Sequence, residues 1–383
     1  MEGNSLHTIE LPDFTTLSGV ARPITLTYQH FGQELHTAPV VMINHALTGN
    51  SNVAGEGGWW NALVGPDRCI DTRRYTVLCF NIPGNGYDGF LIENYRDFVA
   101  ADIARCFLLG LEALEVPSLH ALVGGSLGGG IAWEMAALEP GLTRHLIPVA
   151  SDWKSTDWLI ANCQIQQRFL ENSRDPVHDA RMHAMLCYRT PESFKQRFGR
   201  STNEELQVFN VESWLLHHGK KLQERFQLAA YKLTNQLLKT IDITRDGEGR
   251  LRALQESGTH IHIIGVDSDL FFTAEENRET CRQMARARGN VTYGEIRSVH
   301  GHDAFLIEHT QMEDLLRPVF SPGGEAAPLK VLKFGGKSLA NGRGLDRVLQ
   351  IIGDRHAGGE RLVVVLSARA RATDQLQEML DAA

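Results

Sequence analysis

The stretch LHALVGGSLGGGIAWEMAAL, Leu119 to Leu138, constrains the fold most. It reads as a buried strand, a sharp turn and a helix, with Gly124-Gly125-Ser126-Leu127-Gly128 at the turn. This is a G-x-S-x-G elbow. A serine in so tight a turn needs very small neighbours two residues away on either side. The turn lifts the Ser126 hydroxyl clear of the sheet and aims it at a substrate. The first N–H groups of the following helix have no partner in the helix and favour negative charge nearby. The chain has 36 glycines, so the pattern alone means little. Its place between a buried strand and a helix separates it from a flexible glycine loop.

Short β-branched runs recur along the chain and alternate with helical stretches. The expected strands are Pro23–Tyr28, Val40–Asn44, Tyr75–Asn81, Leu119–Gly124, His145–Ala150, Ile261–Val266 and Val291–Ile296. Several are continuous apolar runs, as strands buried on both faces of a parallel sheet require. The alternation predicts α/β architecture. From about Ser151 to Gly258 no strand is legible, and amphipathic helical patterns such as Val211–His218 and Lys220–Leu238 fill the gap. That stretch reads as a helical lid inserted into the fold. SPGGEAAP (Ser321–Pro328) reads as a linker between a domain over residues 1–320 and a short segment over residues 329–383. The short segment has one βαβ-like unit, too small for a self-sufficient α/β domain.

A serine nucleophile on such a scaffold calls for an acid and then a histidine further along the chain. HIHIIGVDSDLFF (His260–Phe272) is a strand ending in Asp267 and Asp269, and both qualify as the acid. SVHGHDAFLIE (Ser298–Glu308) follows, where His302 comes after the small Gly301 and before an apolar helix start; His300 is its competitor. With sixteen histidines in the chain, a lone one means little, and His260 and His262 read as packing or surface residues. The oxyanion hole needs one backbone donor beside the serine and a second after an earlier strand. VVMINHALTGN (Val40–Asn50) supplies that strand, so the Leu47 and Leu127 amides are the candidates, and His45 reads as shaping the loop.

Composition excludes several other classes. The formal net charge is −8 and no Lys/Arg run appears, so no nucleic acid is expected as partner. No apolar run is long enough to span a bilayer, and MEGNSLHTIELPDF lacks the basic and apolar regions of a signal peptide. The six cysteines are scattered, which reads as buried free thiols in a reducing cytoplasm. Gly84-Asn85-Gly86-Tyr87-Asp88-Gly89 fits G-x-G-x-x-G, but no helix clearly opens after it, so it reads as a loop near the active site. No metal-ligand spacing is present.

Taken together, NHALTG (Asn44–Gly49), GWWNALVGP (Gly58–Pro66), GGSLGG (Gly124–Gly129), VESWLLHHG (Val211–Gly219), DSDLFF (Asp267–Phe272) and GHDAFLIE (Gly301–Glu308) resemble the homoserine O-acyltransferases of the α/β-hydrolase superfamily. The resemblance runs from about residue 10 to residue 318. It implies an α/β-hydrolase fold with a helical lid and a triad of Ser126, Asp269 and His302. It also implies a substrate set of Arg181, Tyr188 and Asp303, the guanidinium taking the carboxylate of homoserine and Asp303 its ammonium. The implied activity is acyl transfer from acetyl-CoA to L-homoserine in methionine biosynthesis, with no bound cofactor, in the cytoplasm, by a homodimer formed through the lid. Succinyl-CoA as donor, L-serine as acceptor, plain ester hydrolysis and an inactive scaffold that docks a kinase are the rivals. GNGYDGF (Gly84–Phe90) and RFQLAAY (Arg225–Tyr231) depart from the family's usual pattern and bear on donor choice and lid shape.

VLKFGGKSLANG (Val331–Gly342) and VVVLSARARATDQLQEML (Val363–Leu380) resemble the start of an aspartate kinase. That likeness implies an ATP-binding remnant at Lys333, Gly335, Gly336 and Ser338, with Lys337 where the family has Thr. Aspartate kinase feeds the pathway that makes homoserine, which favours homoserine as acceptor.

Overall fold

The structure is a computed structural model that describes residues 5–286, 290–321, 330–335, 342–357 and 362–366. They fall into two compact units, Met1–Leu316 and Arg317–Ala383.

The first unit is built on an eight-stranded sheet: β1 (His7–Leu11), β2 (Ile24–Gly32), β3 (Val40–Asn44), β4 (Thr76–Phe80), β5 (Leu119–Gly125), β6 (Thr143–Val149), β7 (His260–Val266) and β8 (Val291–Ile296). Their spatial order is β1-β2-β4-β3-β5-β6-β7-β8. β1 and β2 pair antiparallel, as do β2 and β4; the other neighbours run parallel. This is the sheet of an α/β hydrolase, as the alternation of elements predicts. VVMIN of β3 and TVLCF of β4 are buried at every residue, which is why they read as unbroken apolar runs. β1 was not expected from the sequence. As an edge strand it buries only one side, and HTIEL alternates half-buried and exposed positions.

Helices α1 (Ala100–Ala113) and α2 (Leu127–Leu138) pack against each other, and α2 lies against β5 and β6. Between β6 and β7 the chain forms α3 (Asp157–Asn172), α4 (Pro176–Tyr188), α5 (Pro191–Phe198), α6 (Asn210–Gln223), α7 (Leu228–Lys239) and α8 (Gly249–Glu256). Within this lid α4 packs on α6 and α3, and α3 packs on α7. One two-residue hairpin, Thr202–Asn203 with Val208–Phe209, interrupts the helices. The single helix expected over Lys220–Leu238 is two. The chain breaks at Glu224–Gln227, where Phe226 turns into the core and Arg225 donates to the Thr48 carbonyl at 3.0 Å. After β7 come α9 (Ala274–Arg286), β8 and α10 (His309–Phe320).

In the second unit β9 (Lys330–Phe334) and β10 (Leu362–Leu366) pair parallel around α11 (Gly342–Ala357), with Lys333 opposite Val365. Gly335 follows β9, whereas Gly336, Ser338 and nearly all of the expected linker lie outside the described residues. Of the cysteines, Cys79, Cys106 and Cys163 are buried as expected, but Cys69, Cys187 and Cys281 are only half-buried. Among the described residues no helix is long and apolar enough to cross a membrane.

Candidate active site

Ser126 sits between β5 and α2 with φ 54° and ψ −125°, a left-handed backbone that side-chain-bearing residues rarely adopt. The surroundings over-determine it. The Ser126 amide donates to the Val149 carbonyl at 2.9 Å. A Cβ on Gly124 would collide with the Gly128 backbone, and one on Gly128 with the carbonyl oxygens of Asn44 and His45. The small residues of the elbow therefore let β5, α2 and the loop after β3 meet at one point, with Ser126 at its centre.

Three side chains form one hydrogen-bonded line. Ser126 Oγ lies 2.8 Å from His302 Nε2, and His302 Nδ1 lies 2.7 Å from Asp269 Oδ2. All three residues are buried. The other oxygen of Asp269 accepts from the Phe271 and Phe272 amides at 2.7 and 3.0 Å, which holds the carboxylate in place.

The alternatives left open by the sequence separate here. Asp267 is exposed; its Oδ1 accepts from the Ser298 amide at 2.9 Å. Ser268 Oγ accepts from the Gly301 amide at 3.1 Å. In Asp-Ser-Asp, then, the first two residues tie down the histidine loop and the third meets the histidine. His300 turns the other way, toward Arg189.

His45 is buried and bridges two backbone groups. Its Nδ1 lies 2.8 Å from the Ala46 carbonyl, and its Nε2 accepts from the Ile82 amide at 3.1 Å. Burial pushes its pKa down to about 4, so the ring is neutral and structural. Asn85 of the glycine-rich loop reaches the same Nε2 at 3.4 Å, which places that loop beside the site. Neither the Leu47 nor the Leu127 amide has an intramolecular acceptor among the described residues, so both remain able to donate.

Sequence reasoning missed the aromatic box. The His302 ring packs against Phe271, Phe272, Tyr188 and Phe305 at centroid distances of 5.2, 5.7, 5.5 and 5.8 Å. Trp60 of the Gly-Trp-Trp motif donates from Nε1 to the Phe305 carbonyl at 3.3 Å. A Cβ on Gly125 would strike the Phe305 ring at 2.6 Å. GWW and GHDAFLIE, distant in sequence, thus form one wall. The signal was present in the aromatic residues, but only the fold brings them together.

Arg181 and Tyr188 lie on one face of α4, with the guanidinium 5.5 Å from the phenol ring. Arg181 has no carboxylate partner among the described residues. Burial raises the Tyr188 pKa well above its usual value, a shift the Arg181 charge partly opposes, so its hydroxyl stays protonated. Asp303 lies 3.0 Å from Arg189 Nε. That N–H is not aligned for a hydrogen bond, so the contact is an ion pair. No motif in the sequence points to Arg189. A cavity of about 10 Å³ lies among Leu47, Tyr188, Tyr231 and Phe271, and it has room for one water at most.

Residues 39–177 match the alpha/beta hydrolase fold family, and residues 328–382 match the amino acid kinase family. A homoserine O-acetyltransferase of Salinibacter ruber is 32% identical over 81% of this chain and 96% of its own length. The crystal structure of a homoserine O-acetyltransferase from Staphylococcus aureus superposes with a TM-score of 0.72 at 23% identity, over 83% of this chain and 96% of that one. Esterase E22 superposes equally well, with a TM-score of 0.73 at 18% identity over 83% of this chain and 100% of that one, so the likeness of shape speaks for the fold alone. The sequence match separates the two: the chain belongs to the homoserine O-acetyltransferase family.

Proposed function

We propose that the chain transfers an acetyl group from acetyl-CoA to the hydroxyl of L-homoserine through an acyl-enzyme on Ser126. The observation that carries the reading is the buried line Ser126–His302–Asp269. His302 takes the Ser126 proton as Oγ attacks the thioester carbon. The carbonyl oxygen becomes an oxyanion held by the Leu47 and Leu127 amides; one such donor is worth about 3 kcal/mol. The C–S bond breaks, and the CoA thiolate leaves with the proton from His302. Homoserine then gives its hydroxyl proton to His302 and attacks the ester carbon, and Ser126 recovers its proton as the product leaves. Asp269 keeps the imidazole in one orientation and stabilises the imidazolium that forms twice in the cycle.

Transfer has to outrun hydrolysis. The aromatic box around His302 and the burial of all three triad residues limit the access of water to the proton relay. In this reading Arg181 takes the acceptor carboxylate and Asp303 the ammonium, and Tyr188 beside Arg181 serves as a neutral donor. Leu186 on α4 and Leu216 on α6 are 52% and 46% exposed, which supports pairing of two copies through the lid.

A competition assay tests this. Acetyl-CoA and succinyl-CoA are offered together with homoserine and serine, and products are identified by mass spectrometry. O-acetylhomoserine should dominate. Free acetate as the main product, unaffected by homoserine, would make the chain an esterase.

A further inference from the structure

A second cleft, of about 210 Å³, lies between α5, α6 and the histidine loop, lined by Arg189, Arg197, Phe194, Phe198, Trp214 and His300. We propose that it holds the nucleotide end of the acyl-CoA donor, with Arg197 gripping a phosphate and the aromatic rings flanking the base. The proposal rests on the acyl-CoA reading above and deepens it.

The cleft's chemistry is mixed in an unusual way. Three rings form its apolar wall: Phe194 and Trp214 meet edge to face at 5.5 Å, and Phe198 lies 5.6 Å from Trp214. Over that wall stands the Arg197 guanidinium, 5.6 Å from both the Phe198 and the Trp214 ring. Among the described residues Arg197 has no carboxylate partner. A guanidinium held over aromatic faces but left without an anion suits a ligand that is itself a flat ring joined to anions. The adenosine bisphosphate of coenzyme A is such a group, and free homoserine is not.

Position agrees with chemistry. His300 is two residues before His302, so their Cα atoms are within about 7 Å of each other. Arg189 joins the two regions: its Nη1 lies 3.3 Å from His300 Nδ1 and its Nε 3.0 Å from Asp303. Arg189 thus borders both the cleft and Asp303, so the cleft adjoins the histidine loop, and the pantetheine arm of the donor spans the way from it to Ser126. Trp214 precedes the exposed Leu216 by two residues, about 200° around α6, so the cleft and the apolar side of the lid face different ways.

The test compares two donors in the wild type and in R197Q. Acetyl-CoA carries the nucleotide; S-acetyl-N-acetylcysteamine carries the same reacting thioester without it. R197Q should raise KM for acetyl-CoA by about tenfold or more, leave kcat in place, and leave the short thioester's KM unmoved. Adenosine 3′,5′-bisphosphate should bind the wild type in calorimetry and lose that binding in R197Q. Arg197 is exposed, so the variant should keep the wild-type melting temperature. Equal effects on both donors, or none on either, would overturn the subsite. So would a wild type that binds no adenosine 3′,5′-bisphosphate while using acetyl-CoA well. A wild type that binds the bisphosphate but moves no acetyl group from either donor would sink the function and leave the nucleotide site standing.

Discussion

Asp303 is paired with Arg189 across 3.0 Å, one residue beyond His302. Both side chains are about four-fifths buried, at 18% and 20% exposure. The carboxylate proposed to take the acceptor's ammonium therefore already has a cation beside it. An ammonium can join this pair, since Asp303 has a second oxygen. Removing one partner of a desolvated charge pair costs roughly 2–5 kcal/mol. Asp303→Asn should lower kcat/KM for homoserine about thirty-fold or more while leaving the CoA burst without acceptor nearly unchanged. A burst that collapses together with homoserine transfer would place Asp303 in the proton relay.

Ser126→Ala should abolish both covalent labelling by acetyl-CoA and transfer, with the fold intact. Among the described residues the hydroxyl has one polar contact, His302 Nε2 at 2.8 Å, and the elbow's backbone is held by Gly124, Gly128 and Val149. Alanine at φ 54° is no more strained than serine. Mass spectrometry of the intact protein after mixing with acetyl-CoA reads the label. Acetylation that persists and turns over would move the nucleophile elsewhere.

The elements legible in the sequence are those whose constraint is local. β3 and β8 fall at the expected boundaries because each run of sheet residues is closed by a loop. The elbow was legible because tight turns tolerate few residue types. Other features depend on partners far along the chain. β1 hides because an edge strand buries one face. The break between α6 and α7 hides because what the chain meets there is remote: Phe226 enters the core, and Arg225 donates to the carbonyl of Thr48, 177 residues away. The choice of Asp269 over Asp267 hides because both follow the same strand, and only the loop from Ser298 to Gly301 tells them apart. Arg189 carries no motif at all. Its role appears only when α4's end meets the histidine loop, where Thr190 Oγ1 donates to the Val299 carbonyl at 2.5 Å.

A chain ending at Ser321 should keep full acyl transfer. Ser126, Asp269, His302, Arg181, Asp303 and both candidate oxyanion amides all belong to the unit Met1–Leu316. Steady-state kinetics of the shortened chain against the full one decide it. A tenfold loss in kcat would mean that the kinase-like segment supports the site.

Asp152 should make the protein less stable as pH rises. Burial lifts its pKa to about 7, against the hydrogen bonds it accepts from Thr280, the Trp153 amide and Asn277. Below the unfolded value both states are protonated and nothing is lost. Between that value and about 7 the unfolded chain ionises while the folded one keeps its proton, so stability falls. Asp152→Asn removes the titration and keeps an acceptor for Thr280. Its melting temperature relative to wild type should climb by several degrees between about pH 4 and about pH 7.5. A difference that stays flat across that range would show Asp152 ionised in the folded state.

Acid should act on the opposite end of the sheet through histidines. His145 on β6 and His262 on β7 meet at 3.0 Å, Nδ1 to Nε2, and His262 Nδ1 continues to Thr292 Oγ1 at 3.0 Å. His120 and His260 crowd the His145 ring at 5.3 and 5.4 Å, and Arg144 adds its charge. Only one of two facing ring nitrogens can carry a proton, so the pair is stable while at least one ring is neutral. Burial first, and the neighbouring histidines after it, depress His145 to about 3 and His262 to about 4. Both folded values lie below the ordinary one near 6.5. Above that value neither state binds the protons and the cluster has no pH dependence. As pH falls below it, the unfolded chain takes up protons that the folded chain refuses, and stability drops until about pH 3. His262→Gln keeps a polar group between His145 and Thr292 but removes one titrating ring. The wild type should lose more melting temperature than His262→Gln between about pH 7 and about pH 5. Parallel pH profiles for the two proteins would mean that the cluster accepts protons without cost, and that acid unfolding starts elsewhere.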